Sequence, residues 1–258
     1  MNIFRVLFRF FFIGIILFFC IPLVALLTFF LPHKKFSLVL RQIFYKITIK
    51  GCFGITVVYK GVPLLSFSHK EKRPVVFMSN HISFTDIMVL GSIYPYTFVS
   101  KEEVASWPFI GWMTRMYGTL FISRDSQNVK EGIAMLWRWL QHHTGVVLFP
   151  EGTTGDGCRV FPFKSSYFSL PEGTYIQPVS IVYNEVNDLP ATRYFQKNFC
   201  WRGEPTLLSH LWNILQFRKI VATVIFHPAF EATSFRKIIA EKTWQCVQEG
   251  CLEGVECI

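Results

Sequence analysis

A histidine and an aspartate five residues apart, His81 and Asp86, stand in "SNHISFTDIMVL" directly after an apolar run. An aspartate bonded to one imidazole nitrogen fixes the tautomer, stabilises the imidazolium and leaves the other nitrogen free to take a proton. Such a pair would serve as a general base towards a hydroxyl or a water. On one continuous helix, a separation of five turns the side chains about 140° apart, so they would not share a face. A strand ending near Ser79 and a helix starting near Thr85 would put His81 in the connecting loop and Asp86 in the first helical turn, where one folds onto the other. A carboxylate is favoured at that positive helix end. The spacing leaves a second reading open, in which His81 is an ordinary loop residue and Asp86 an ordinary helix-start residue.

Three further stretches carry candidate chemistry, each with a plainer alternative. "GTLFISRDS" (118–126) puts Arg124 at a strand end, where α/β sheets bind ligands. A guanidinium there grips a phosphate with two hydrogen bonds; alternatively it pairs with Asp125 on the surface. "LFPEGTTGDG" (148–157) runs from a strand into Pro150, Glu151 and three glycines. Such a loop brings backbone N–H groups close to a ligand, with Glu151 adding a carboxylate, or it simply joins strand to strand. The G-x4-G-K-[ST] phosphate loop and the G-x-S-x-G elbow of serine hydrolases are both absent from the sequence. "YIQPVSIVY" (175–183) holds Pro178 inside an apolar run. Proline lacks the ladder N–H, so a strand edge, start or bulge is expected.

The elements that must position these residues follow from hydrophobic patterning. Short β-branched runs recur at 54–59, 74–79, 96–101, 119–124, 145–150, 175–183 and 219–226. Helical patterns cover 85–93, 108–117, 126–143, 205–216 and 234–249, with Ser126 and Ser234 as caps and Gly250 as a stop. Strands alternating with helices predict an α/β domain with a mixed, largely parallel central sheet flanked by helices. Residues 51–250 form that domain, and 251–258 a C-terminal tail.

The N-terminus reads differently. From Phe10 to Pro32 there is no charged residue; as a helix the run is about 35 Å long, enough to cross a hydrocarbon core. A signal peptide would have a shorter apolar core and a small-residue cleavage site. Residues 1–50 are therefore expected to be a membrane-anchoring helical segment, with Pro22 able to kink it into a re-entrant form. Residues 36–50 follow as a basic amphipathic helix, suited either to the headgroup level or to ordinary packing. Lys34, Lys35, Arg41, Lys46 and Lys50 outweigh Arg5 and Arg9, which predicts a body facing the cytoplasm. The net charge of +9 and hydrophobic content of 51% favour membranes and anionic substrates, since no Lys/Arg tract or nucleic-acid motif accompanies the charge. Seven cysteines at irregular spacing, without CxxC, argue against a disulfide framework or a zinc site.

Taken in order, "NHISFTD", "GTLFISR", "FPEGT" and "IQPVSI" resemble the conserved blocks of the glycerolipid acyltransferase family, whose best-known members are 1-acyl-sn-glycerol-3-phosphate acyltransferases. The resemblance covers roughly 70–185. It implies a membrane-bound enzyme of phospholipid biosynthesis that moves a fatty acyl group from acyl-CoA or acyl carrier protein to a lysolipid hydroxyl, with no cofactor and no metal. By the same resemblance His81 is the general base, Asp86 its orienting partner, and Lys101, Arg124, Glu151, Gly152 and Thr153 bind the acceptor. One departure matters. Where the family often carries Arg or Lys after FPEGT, this chain has Thr154, followed by "GDG". That loop and the downstream "WRGEPTLLSHLW" (201–212) are similar to lyso-ornithine-lipid acyltransferases. Lysophosphatidate is the default acceptor implied, and lyso-ornithine lipid the alternative. A non-catalytic lipid-binding protein on the same fold is the reading of another class.

Overall fold

The computed structural model describes residues 3–20, 22–23, 34–64, 74–94, 96–107, 110–116, 119–122, 129–140, 145–201, 206–232 and 235–254. In chain order, helix α1 (Ile3–Ile15) runs into a π-helical turn (Ile16–Cys20), and α2 (Lys34–Gly51) leads to strand β1 (Ile55–Lys60). There follow β2 (Val75–Ser79), α3 (Thr85–Ile93), β3 (Thr97–Lys101), α4 (Glu102–Ala105), α5 (Ile110–Met116), β4 (Leu120–Ile122), α6 (Val129–Leu140) and β5 (Gly145–Leu148). The chain ends with β6 (Tyr175–Val186), β7 (Leu189–Pro190), α7 (Arg193–Phe199), α8 (Leu207–Leu215), β8 (Ile220–Phe226), β9 (Phe230–Glu231) and α9 (Arg236–Gly254).

The strands order as β1-β8-β6-β2-β5-β3-β4, with β7 and β9 also on β6. From β6 to β4 every pairing is parallel, whereas β8 is antiparallel to β6 and β1 is parallel to β8. This is the mixed α/β sheet that the alternation of patterns predicts. The unbroken apolar run of β2 has a simple cause. Val75 and Phe77 enter one core with Val89, Leu90 and Val147, while Val76 and Met78 enter the other with Leu136, Val146, Leu148 and Val247. A strand covered on both faces needs apolar residues at every position.

Because β2 and β5 are parallel neighbours (Met78 opposite Leu148) and β3 and β4 likewise (Lys101 opposite Ile122), the loops after all four strands leave one edge of the sheet. That edge gathers His81, Lys101 and Glu151.

Two expectations change. Pro178 lies in a central strand, not at an edge, since β6 is flanked by β2 and β8. Its carbonyl accepts the His227 N–H at 3.0 Å. The N and O of one strand residue face the same side, so the missing N–H points at the turn between β8 and β9, where no ladder demands it. Gly250 does not stop the last helix, which runs on to Gly254, so the tail expected from 251 is helical there; 255–258 lie outside the described residues. A Cβ on Gly250 would stand 2.5 Å from Ser180 Oγ and 2.7 Å from His227 Nε2, so glycine serves close packing at this point.

Among the described residues, no helix is long and apolar enough to cross a membrane; 24–33 of the expected anchor lie outside them, as does Ser126. Helix α2 packs on the domain through buried Phe44, Tyr45 and Ile49 and through Gln42 Nε2 donating to Ile93 O at 2.6 Å. It leaves Val39, Ile43 and Ile47 exposed, as α1 leaves Phe4, Leu7, Phe8 and Phe11. Helix α1 is tied down by Arg9, 7% exposed, which donates to the carbonyls of Leu215 (3.2 Å), Phe217 (2.5 Å) and Arg218 (2.9 Å) at the end of α8. These are carbonyls that a helix cannot satisfy internally. Arg9→Met should therefore loosen α1 and lower stability by about 1–3 kcal/mol, read by chemical denaturation.

Candidate active site

Asp86 is fully buried in the first turn of α3. A carboxylate so placed stays ionised only if its lone pairs are satisfied. Here Oδ2 accepts from Ile82 N (2.6 Å) and Ser83 N (2.9 Å) and lies 2.8 Å from His81 Nδ1. Oδ1 accepts from the hydroxyl of Tyr183 at 2.6 Å. The loop folds back on the helix start, as the spacing required for a working pair. With a carboxylate as its partner, Nδ1 carries the proton and Nε2 holds the free lone pair. The histidine side chain is 20% exposed, and among the described residues Nε2 makes no hydrogen bond, which leaves it available to a reactant.

Tyr183 was legible in the sequence as an apolar-strand residue and nothing more. Its ring packs on Phe199 with centroids 4.3 Å apart, and its hydroxyl also meets Thr85 Oγ1 at 2.9 Å. Burial, then the nearby Asp86 charge, raise its pKa well above the ordinary tyrosine value, so it remains a donor. Asn80 is a second residue the sequence did not single out. Its amide accepts from Ile181 N (2.8 Å) and donates to Ile181 O (2.9 Å), stitching the end of β2 to β6 where the ladder stops.

The "FPEGTTGDG" loop wraps the same histidine. Phe149 stacks on the imidazole with centroids 4.2 Å apart and planes 18° apart. Gly152 adopts φ +70°, where a Cβ would also stand 2.9 Å from Lys164 Nζ; the position needs glycine. Glu151 is 3% exposed and accepts from His81 N at 2.7 Å and Phe161 N at 2.8 Å. Burial pushes its pKa up to about 8, against the pull of those two N–H bonds. Thr153 is exposed beside Gly152. Lys101 ends β3 at the same edge of the sheet, and Arg124 lies outside the described residues. Beside His81 and Glu151 a cavity is lined by Asn80, Tyr183, Phe199 and Cys200.

The two stretches that resemble lyso-ornithine-lipid acyltransferases touch each other. The Thr154 hydroxyl donates to Trp201 O, and Trp201 N donates to Ile82 O at 2.9 Å. Trp201 stacks on His210, and His210 Nε2 lies 3.2 Å from Ser83 Oγ. So Thr154, Trp201 and His210 form one wall beside the His81 loop.

Comparison with known proteins agrees with this geometry. A family model described as Acyltransferase matches residues 64–182. A lyso-ornithine lipid O-acyltransferase from Brucella abortus is 34% identical over 183 residues, 66% of this chain and 68% of that protein. The chain belongs to the acyltransferase family. A 1-acyl-sn-glycerol-3-phosphate acyltransferase from Neisseria meningitidis serogroup B is 32% identical over 155 residues, 59% of this chain and 58% of its own. The matched stretch spans 59% and 64% of two further lyso-ornithine lipid O-acyltransferases. The crystal structure of the 1-acyl-sn-glycerophosphate acyltransferase from Thermotoga maritima superposes with a TM-score of 0.69 at 19% identity, covering 98% of this chain and 95% of that one. At that identity the likeness speaks for the fold.

His210 offers a test of this wall. Burial lowers its pKa to about 4, although Asp86 pulls the other way. An unfolded histidine titrates near 6.5, so between these values the unfolded chain binds more protons. The contribution of neutral His210 is then complete above about pH 6.5 and lost as the pH falls towards about 4. In His210→Gln, the thermal midpoint should fall less than in the wild type across that window.

Proposed function

We propose that the protein is a membrane-associated O-acyltransferase that moves a fatty acyl group from an acyl thioester to the hydroxyl of a lysolipid. The observation that carries this is the His81–Asp86 pair at the carboxyl edge of the sheet, with Nε2 open and the FPEGT loop folded around it. His81 Nε2 takes the proton of the lysolipid hydroxyl, and the oxygen attacks the thioester carbonyl carbon. A tetrahedral oxyanion forms, the C–S bond breaks, and the thiolate recovers the proton from His81. Asp86 stabilises the imidazolium between these steps. The donor is acyl-CoA or acyl carrier protein, and neither a cofactor nor a metal enters the chemistry.

For the acceptor we favour lyso-ornithine lipid over the lysophosphatidate that the motif blocks imply. The reading is supported by the 34% identical relative, of which the chain covers 68%, and by the Thr154–Trp201 contact that joins the two stretches resembling that branch. Lys101, Arg124 and Thr153 bind the acceptor headgroup in this reading, as the family resemblance implies. The exposed apolar residues of α1 and α2 suit a lipid surface, with the domain on the cytoplasmic side.

The test is to incubate membranes holding the protein with labelled acyl-CoA and, in parallel, lyso-ornithine lipid, lysophosphatidate or no acceptor. Acylated lyso-ornithine lipid is the expected product. Fatty acid released regardless of acceptor would make the protein a hydrolase, and acylation of lysophosphatidate alone would reverse the headgroup assignment. His81→Ala should lower kcat by about 100-fold or more, since general base catalysis contributes ~10²–10⁴. Tyr183→Phe should keep its packing on Phe199 and lower kcat by about tenfold, because one charge-assisted hydrogen bond to Asp86 is worth roughly 1.5–3 kcal/mol; steady-state kinetics on the folded variant measures this.

A further inference from the structure

The resemblance implies that Glu151 binds the acceptor, but its two oxygens are already occupied. One accepts the His81 N–H and the other the Phe161 N–H, at 2.7 and 2.8 Å, and the side chain is 3% exposed. An acceptor headgroup would find both oxygens already taken by the main chain. The same loop reaches His81 twice more. Gly155 N donates to His81 O at 2.7 Å, and Phe149 stacks on the ring. The loop thus fixes the N–H, the C=O and one ring face of the histidine, and Asp86 fixes Nδ1.

We propose that Glu151 is a positioning residue that clamps the main chain of His81, so that Nε2 alone remains free to meet the reactants, and that it is not a ligand of the acceptor. Both bonds need an acceptor at each oxygen. Glutamine would turn an N–H₂ group towards one of the two N–H donors. Aspartate keeps the carboxyl group but is one carbon too short to span both.

The test rests on the acyl-transfer reading for its kinetic arm and is independent of it in its second arm. With the acceptor that the wild type uses, kcat and the acceptor KM are measured for the full-chain Glu151→Gln and Glu151→Asp variants, with folding followed by near-UV circular dichroism. The expected result is a loss in kcat of about 100-fold with the acceptor KM within about twofold. If Glu151→Gln does not fold, Glu151→Asp gives the same split. A rise in the acceptor KM of about tenfold or more with kcat kept would make Glu151 an acceptor ligand and overturn the proposal, as would unchanged kinetics in both. The second arm is amide hydrogen exchange over residues 80–86 of the wild type and Glu151→Asp. Faster exchange in that segment is expected; unchanged exchange overturns the clamp. If the wild type acylates no lysolipid, the acyl-transfer reading fails by itself and hydrogen exchange still decides the role of Glu151.

Discussion

Asp86 holds a carboxylate where water does not reach, and a buried charge of that kind survives only when surrounding donors replace its hydration. Four do so: Ile82 N, Ser83 N, Tyr183 OH and His81 Nδ1. Each comes with its own structural demand. The two N–H groups require the chain to curl back over the start of α3. The tyrosine requires β6 to lie beside β2, so that a residue in its second half reaches over the helix start. The histidine requires the loop to leave β2 with its ring turned inward. The catalytic geometry and the sheet order are solutions to one electrostatic problem.

The parallel arrangement answers a second demand, that separate loops converge. Adjacent parallel strands release their loops at one edge, which is why ligands collect there in α/β sheets. In this chain β2 delivers His81, β5 delivers Phe149 and Glu151, and β3 delivers Lys101 to that edge. β8 and β1, parallel to each other, lie on the far side of β6. Just before β8, Arg9 binds the carbonyls of Leu215, Phe217 and Arg218 and ties the apolar N-terminal helix to the domain.

Much of this could be read from residue order. The His81–Asp86 pairing follows from a spacing of five across a strand-to-helix boundary, and the strands from their β-branched runs. What stayed hidden depended on long-range partners. Tyr183 looks like core because its hydroxyl finds a purpose only beside Asp86. Glu151 looks like a ligand residue because a carboxylate among glycines is ordinarily exposed; its burial comes from the fold of 149–161 over the histidine. Pro178 misled because the rule against central-strand proline assumes a strand on the N–H side, and here a turn occupies it. Helix α7 escaped notice since its buried face is just Phe195, Gln196 and Phe199, although the Thr192 cap, accepting from Phe195 N at 3.3 Å, was a local signal.

The tyrosine contact also sets an order of events during synthesis. Tyr183 and Asp86 are 97 positions apart. As the nascent chain emerges, His81 and Asp86 appear long before the strand that completes their pocket. Until β6 arrives, the aspartate has its three local donors and lacks the fourth, the Tyr183 hydroxyl on Oδ1. β2 and β5, which pair with each other, are both made before β6. For this fold, the pocket around Asp86 is begun by the first half of the domain and completed by the second.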